Sequence, residues 1–402
     1  MSDPSEATDI VVNTCGFIRE AKEESIDAIL TACADHPGKR ITVVGCLVER
    51  YREELARGIP EVSGWFGVVG EDMAKRLAEN VVTGTGQAET AATFPVGMAK
   101  SYAYLKISDG CDEGCTFCAI PGFKGAYESV PLAEILGEAD ACLSEGAREL
   151  VLVGQETSRW QSGGLDLKDL IDRLSEDHRV KRVKVLYLQP ARIDDSFLEF
   201  MAGQGKLCRY VDVPFQHSHE EILRRMGRRG DEVSYRALLA KVRSLMPDVT
   251  LRSTFIVGFP GERREHFDAL LHFVRDARFD YGGAFLYSPE EGTVAAGLRP
   301  GVGRAVALKR LNLLSEAILE GGQSQRAQLV GTELEVMIDS VGDEEMIEGA
   351  GAVGRTNGQA PEVDGVTYVK GDLSAGLQPG DVVRVRISDV MGCDLVGEIC
   401  AS

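Results

Sequence analysis

Apolar and polar positions along the chain fall into three stretches with different periods. Up to about residue 90 the reading is strand–helix–strand. A short apolar run at 10–12 ends at Asn13-Thr14-Cys15, and a second run at 41–44 ends at Gly45-Cys46. Between them Ile18, Ala21, Ile26, Ile29 and Leu30 recur at helical spacing. The small, polar stretch 84–92 reads as a linker. From about 100 to 326 apolar runs at 104–107, 150–153, 185–188, 210–213, 253–257 and 284–287 alternate with amphipathic stretches such as 131–143 and 266–277. Six βα units in series predict a parallel sheet closed or partly closed as a barrel. After Arg326 the helical period stops. Runs at 334–338 and 382–387, set among glycine-rich turns, predict a small all-β barrel. The expected class is therefore α/β with an appended β barrel, divided at 1–90, 97–326 and 327–396. No internal repeat is visible.

Composition changes this picture little. A chain of 402 residues with 44% hydrophobic content suits two or three folded domains. No apolar run nears the roughly 20 residues that cross a bilayer. The N-terminus is polar and acidic and does not read as a secretory signal. A cytoplasmic protein without a membrane partner is the expectation. Charge says more: the net value is −19, and from Ala327 onward fourteen acidic residues face four basic ones. That balance disfavours a module that grips nucleic acid and suits a basic protein partner.

Five of the ten cysteines (Cys33, Cys142, Cys208, Cys393, Cys400) sit in bland positions. Cys111, Cys115 and Cys118 form a C-x3-C-x2-C run in the loop after the first barrel strand, at the face where active sites of such barrels collect. Structural zinc wants four closed ligands, and no fourth Cys or His is close in sequence. A four-iron cluster on three thiolates leaves one iron open for chemistry. Cys15 and Cys46 each follow a strand, and the two strands are joined by one helix. A right-handed crossover would bring both to one crevice.

The triad, with Phe117 before its last cysteine, resembles the signature of radical S-adenosylmethionine (SAM) enzymes. Four further blocks are similar to the methylthiotransferase branch: Val12-Asn-Thr-Cys-Gly-Phe-Ile18, Val44-Gly-Cys-Leu-Val-Glu-Arg-Tyr51, Tyr104-Leu-Lys-Ile-Ser-Asp-Gly-Cys111 and Arg252-Ser-Thr-Phe-Ile-Val-Gly-Phe-Pro-Gly-Glu262. The resemblance implies an N-terminal partial α/β domain, a central radical SAM partial (β/α) TIM-type barrel and a C-terminal TRAM barrel. It implies two [4Fe–4S] clusters and SAM as cofactors. Cys111, Cys115 and Cys118 would hold the radical-generating cluster, with Phe117 near the adenine and Gln155 near the methionine or ribose of SAM. Cys15 and Cys46 match two ligands of the auxiliary cluster. The family's first ligand lies on a βα unit upstream of the Asn-Thr-Cys strand; the sequence as given starts just before that strand, so that unit and the third ligand are expected to be missing from it. Lys124 and Val130 stand where the family commonly has arginine.

Two branches divide by substrate: a modified tRNA adenosine, or an aspartate of a small-subunit ribosomal protein. Val353-Gly-Arg-Thr-Asn-Gly-Gln-Ala-Pro-Glu362, Tyr210-Val-Asp-Val-Pro-Phe-Gln-His217 and Phe285-Leu-Tyr-Ser-Pro-Glu-Glu-Gly-Thr293 resemble the second, RimO-type branch. That resemblance implies methylthiolation of the aspartate β-carbon in ribosomal protein number twelve, a basic protein, with an electron donor as a further partner and tRNA binding disfavoured. His217 is read as a structural or substrate-positioning group ahead of a general base. Arg252 and Gln216 are read as polar contacts in the barrel mouth. A zinc-stabilised scaffold docking on ribosomes is the non-enzymatic alternative.

Overall fold

A computed structural model describes residues 7–68, 101–299, 301–342, 347–371 and 376–400. The stretch 84–92 expected as a linker lies outside these described residues. The chain forms two compact units, one comprising 1–98 with 117–125 and 288–297, the other 99–116, 126–287 and 298–402.

In the first unit β1 (Asp9–Thr14), β2 (Arg40–Gly45) and β3 (Gly64–Phe66) form a parallel sheet in that order. Helix α1 (Arg19–Asp35) crosses from β1 to β2, and α2 (Cys46–Gly58) follows β2. Ile29, Ile41, Val43, Leu47 and Val48 form its core. Leu30, expected on the buried face of α1, is instead 47% exposed; Ser25 and Ile29 are buried there, with Ile26, Ala32 and Cys33 packed on the same core.

In the second unit six parallel strands run in sequence order: β4 (Tyr102–Lys106), β5 (Glu149–Val153), β6 (Arg182–Val185), β7 (Tyr210–Asp212), β8 (Thr250–Val257) and β9 (Tyr281–Leu286). They pair as two three-stranded halves, tied by a parallel bridge between Val183 and Leu207. No pairing among the described residues joins β9 back to β4, so the barrel is partial. Helices α3 (Leu132–Ser144), α4 (Leu167–Glu176), α5 (Asp195–Gly203), α6 (Glu220–Arg225), α7 (Glu232–Leu245), α8 (Arg264–Ala277) and α9 (Arg304–Ala327) intervene or follow. Asp166 starts α4 by accepting from the Lys168 and Asp169 amides, and Asp231 starts α7 the same way with Ser234, each a reciprocal cap. The period-2 pattern is clean on β8. Leu251, Phe255 and Val257 are buried in the core shared with the helices, while Thr250, Arg252, Thr254 and Ile256 stay half-buried on the opposite face.

One strand departs from expectation. The apolar run 185–188 was the expected third barrel strand, but pairing occupies Arg182–Val185. Tyr187 has φ +62, the left-handed region, which cannot continue a strand. Arg182 and Lys184 hide the strand from a hydropathy reading because their charges are buried against specific partners. Lys184 Nζ donates to the Asn357 carbonyl at 2.6 Å and lies 4.4 Å from the Tyr210 ring centroid. Arg182 donates to the carbonyls of Arg355 and Glu335.

The carbonyl acceptors belong to the C-terminal barrel, closed in the order β10 (Glu333–Val341), β11 (Ala350–Thr356), β12 (Thr367–Lys370), β14 (Asp394–Ile399) and β13 (Val382–Met391). Val336, Ile338, Ala352, Val369, Val385, Ile387 and Leu395 fill it. The end of β11 and the 357–364 loop pack against both halves of the larger barrel. Tyr104 Oη donates to the Pro361 carbonyl, and Tyr210 Oη to Asp364, both at 2.6 Å. Arg355, 2% exposed, donates to Glu149 at 2.6 Å and to both Asp339 oxygens at 2.7 and 2.9 Å. Arg252 pairs with Asp212 at 3.0 Å and with Asp364 at 3.6 Å. It therefore stands over this loop and not in the mouth, a correction that follows from its place as third residue of an eight-residue strand.

Candidate active site at the carboxyl ends of the barrel strands

The loop after β4 carries Cys111 and Cys115, both partly exposed and, like every other cysteine of the chain, not in a disulfide. Its course is set from several sides within this unit. The Thr116 amide donates to the Met226 carbonyl at 2.9 Å, and Thr116 Oγ1 donates to the Arg225 carbonyl at 2.8 Å. Gly227 has φ +73, and a Cβ there would stand 2.6 Å from the Gly114 carbonyl oxygen, so the two turns touch backbone to backbone. Asp112 is salt-bridged by Arg159, and Glu113 by Arg192 at 2.9 Å. Arg228 Nη1 reaches the Cys115 sulfur at 3.8 Å. Burial pushes the Cys115 thiol up, and the Arg228 guanidinium pulls it back.

Cys118 and Phe117 follow in the segment 117–125, which is grouped with the N-terminal unit; both side chains are half-buried. Among the described residues no three His, Cys, Asp or Glu side chains close up as a metal site in this structure. The donor set nonetheless suits an iron–sulfur cluster. Three thiols free of disulfides lie within eight residues, and a guanidinium that favours the thiolate is aimed at one of them. A cavity of about 390 Å³, lined by Glu113, Cys115, Gln189, Arg192, Gly227 and Arg228, opens beside Cys115.

At the end of β5, Gln155 Oε1 and both carboxylate oxygens of Glu156 are buried without a hydrogen-bond partner. The nearest cations to Glu156 are Arg192 Nε at 3.6 Å and Arg159 Nε at 4.0 Å. Burial pushes the Glu156 carboxyl up, while Ser158 and Arg192 pull it down. Glu156 is met by those two cations and by Ser158, but a buried polar atom left unmet in a native fold, as Gln155 Oε1 is, points to a missing ligand. Gln155 was expected from the sequence; Glu156 was not, since a glutamate after an apolar strand gives no signal of burial. Arg228 was missed too, although the glycines of Met226-Gly-Arg-Arg-Gly230 marked a turn.

After β7, Gln216 has φ +68, a second non-glycine residue in left-handed backbone at a strand end. His217 is fully buried, and its Nδ1 accepts from the Ser218 and His219 amides at 3.0 and 2.9 Å. That bonding assigns the proton to Nε2, which has no partner. Burial is the main reason its pKa falls to about 3. His217 is thus a neutral donor with its basic lone pair engaged, which suits positioning. The unfolded chain takes up this proton near 6.5, the folded one only near 3, so stability is lost as pH falls through that window. His217→Gln is expected to flatten the fall in urea midpoint over this window by up to one proton's worth.

In the first unit β1 and β2 pair in parallel with Thr14 opposite Gly45, so Cys15 and Cys46 leave the sheet side by side. A Cβ on Gly16 would meet the Cys46 backbone at 2.8 Å, which shows how closely the two turns approach. Ser25 Oγ holds the Cys15 amide at 3.0 Å, and Arg50 Nη1 donates to the Gly16 carbonyl at 2.6 Å. Val130, where an arginine was expected, packs on the barrel core and accepts from Trp160 Nε1 through its carbonyl.

Three family descriptions match the chain: "Uncharacterized protein family UPF0004" over 1–67, "Radical SAM superfamily" over 105–274 and "TRAM domain" over 330–400. The ribosomal protein uS12 methylthiotransferase RimO of Geotalea uraniireducens is 37% identical, across 99% of this chain and 91% of its own length. The enzyme of the same name from Thermotoga maritima is 38% identical over 99% and 92%, and that from an Anaeromyxobacter species 39% over 99% and 86%. Among solved structures, the radical SAM methyltransferase TsrM from Kitasatospora setae superposes with a TM-score of 0.50 at 16% identity, covering 71% of this chain and 65% of that one. That likeness bears on fold alone. The expected fold class holds, and SAM and [4Fe–4S] clusters are the cofactors that come with it. With likeness running along almost its entire length, the chain belongs to the RimO family of radical SAM methylthiotransferases.

Proposed function

We propose that this chain replaces a hydrogen on the β-carbon of an aspartate in ribosomal protein uS12 with a methylthio group. The full-length likeness to enzymes named for that activity carries the reading. Cys111, Cys115 and Cys118 hold the cluster that engages SAM, and Cys15 and Cys46 supply two of the ligands of the auxiliary one. Reduced by a low-potential electron donor, the first cluster supplies the homolytic chemistry that an unactivated carbon demands. Gln155 and Glu156 offer buried acceptors suited to the ammonium and hydroxyl groups of SAM. Phe117 supplies an aromatic face for the adenine. His217 contributes the Nε2–H donor and moves no proton. The residue ranges 1–90, 97–326 and 327–396 are the division into domains that this reading adopts.

The acidic C-terminal barrel is the surface for a basic protein substrate, and its charge weighs against tRNA. Action on a ribosomal protein goes with the cytoplasm; no helix among the described residues is long and apolar enough to cross a membrane. To test the substrate, uS12 and the tRNA nucleosides of a strain lacking the gene are weighed. The methylthio mass is expected to vanish from uS12 alone. Its loss only from tRNA would overturn the assignment.

A further inference from the structure

We propose that Arg228 sets the reduction potential of the cluster bound through Cys115 by holding its guanidinium on the Cys115 sulfur. This rests on the reading of Cys115 as an iron ligand.

Three features single Arg228 out. First, its fork is braced by two neutral acceptors. Nη2 donates to Gln189 Oε1 at 2.8 Å and to the Pro214 carbonyl at 2.9 Å, which leaves Nη1 facing Cys115 at 3.8 Å. Secondly, no carboxylate pairs with Arg228 among the described residues, whereas its neighbours Arg159 and Arg192 are both spent on acidic groups of the same loop and of Glu156. Its charge is therefore not spent on an ion pair, although Glu113 lines the same cavity. Thirdly, the backbone that carries it is locked to the cysteine loop. The Thr116 amide binds the Met226 carbonyl, and Gly227 lies against Gly114 too closely for any side chain. Arg228 and Cys115 thus move as one piece. Gln189 and Pro214 follow β6 and β7, so two barrel strands fix the cation and the loop after a third carries the sulfur.

A cluster on thiolate ligands becomes more negative on reduction. A fixed positive charge and an N–H donor on one of its sulfurs stabilise that state and raise the potential. One electron passes from a low-potential one-electron reductant, titanium(III) in the test, and no bond is made or broken in that step. Arg228 acts through Cys115 and is a positioning residue. A lysine keeps the charge but lacks the rigid planar fork that holds two acceptors while facing the sulfur.

The test is a redox titration of anaerobically reconstituted protein, followed by the electron paramagnetic resonance of the reduced cluster, at matched iron and sulfide content. Arg228→Gln is expected to lower the reduced-to-oxidised ratio at fixed ambient potential about tenfold, a downward shift of about 59 mV for a one-electron couple. Arg228→Lys and Gln189→Leu are expected to shift in the same direction by less. If Arg228→Gln fails to load iron, Gln189→Leu carries the comparison. A fully loaded Arg228→Gln with an unchanged midpoint overturns the proposal, as does an unchanged Gln189→Leu when it alone can be measured. If the unaltered protein takes up zinc and no iron, the underlying cluster reading falls, and this inference falls with it. The two failures are therefore distinguishable.

Discussion

Cys115→Ala is expected to abolish the low-potential cluster and with it SAM cleavage. Iron and sulfide should fall by the content of one cluster, and the visible charge-transfer absorption should drop with them. The activity loss should exceed about 100-fold, the upper range for losing even an outer partner of a metal ligand. The same holds for Cys111→Ala and Cys118→Ala, because two thiolates do not retain a four-iron core that already leaves one iron open. Cys15→Ala and Cys46→Ala give the contrast that makes the experiment informative. They should spare reductive cleavage of SAM and lose methylthio transfer, since they belong to the auxiliary site. Anaerobic reconstitution, metal analysis and chromatography of the SAM products read all five variants. Retention of SAM cleavage in Cys115→Ala would sink the assignment.

Arg355→Ala is expected to be the most destabilising single change away from the cysteines. Arg355 is buried and bridges Glu149, at 1% side-chain exposure, to Asp339. Its removal leaves the Glu149 carboxylate in the interior with Lys184 Nζ at 3.8 Å as the nearest cation. Breaking a buried ion pair from one side costs about 3–5 kcal/mol, or a fall in melting temperature on the order of 10 °C. Arg355→Lys keeps the charge but cannot span two carboxylates, so an intermediate loss should follow. Calorimetry and urea midpoints measure both. A change below about 1 kcal/mol, the value of an exposed pair, would show that the Arg355 bridge does not anchor the C-terminal barrel in the larger one.

Periodicity carries most of the architecture. The amphipathic stretches at 131–143 and 266–277 match α3 and α8 closely, because each has one apolar face and a polar remainder. It fails where charge is buried. Arg182, Lys184, Arg252 and Arg355 look like surface residues in a hydropathy reading, yet each is satisfied by a partner far along the chain, and local sequence cannot supply that partner. The same blindness hid Glu156 and Arg228. Cysteine spacing was legible because ligand chemistry requires particular residues at particular intervals. What holds those cysteines in place was not, since the Met226–Arg228 turn lies more than a hundred residues away. Tyr187 and Gln216 were also out of reach, as positive φ in a bulky residue has no signature in sequence.

In the proposed reaction a single chain couples a radical SAM site to methylthio transfer onto uS12. That coupling is tested most directly by incubating the reconstituted protein with SAM, a low-potential reductant, a sulfide source and unmodified uS12, then weighing the peptide that holds the target aspartate. The expected product is a peptide heavier by one methylthio group less one hydrogen, with fragmentation placing the addition on that aspartate. A peptide of unchanged mass, from protein carrying its full complement of iron and turning over SAM, would contradict it.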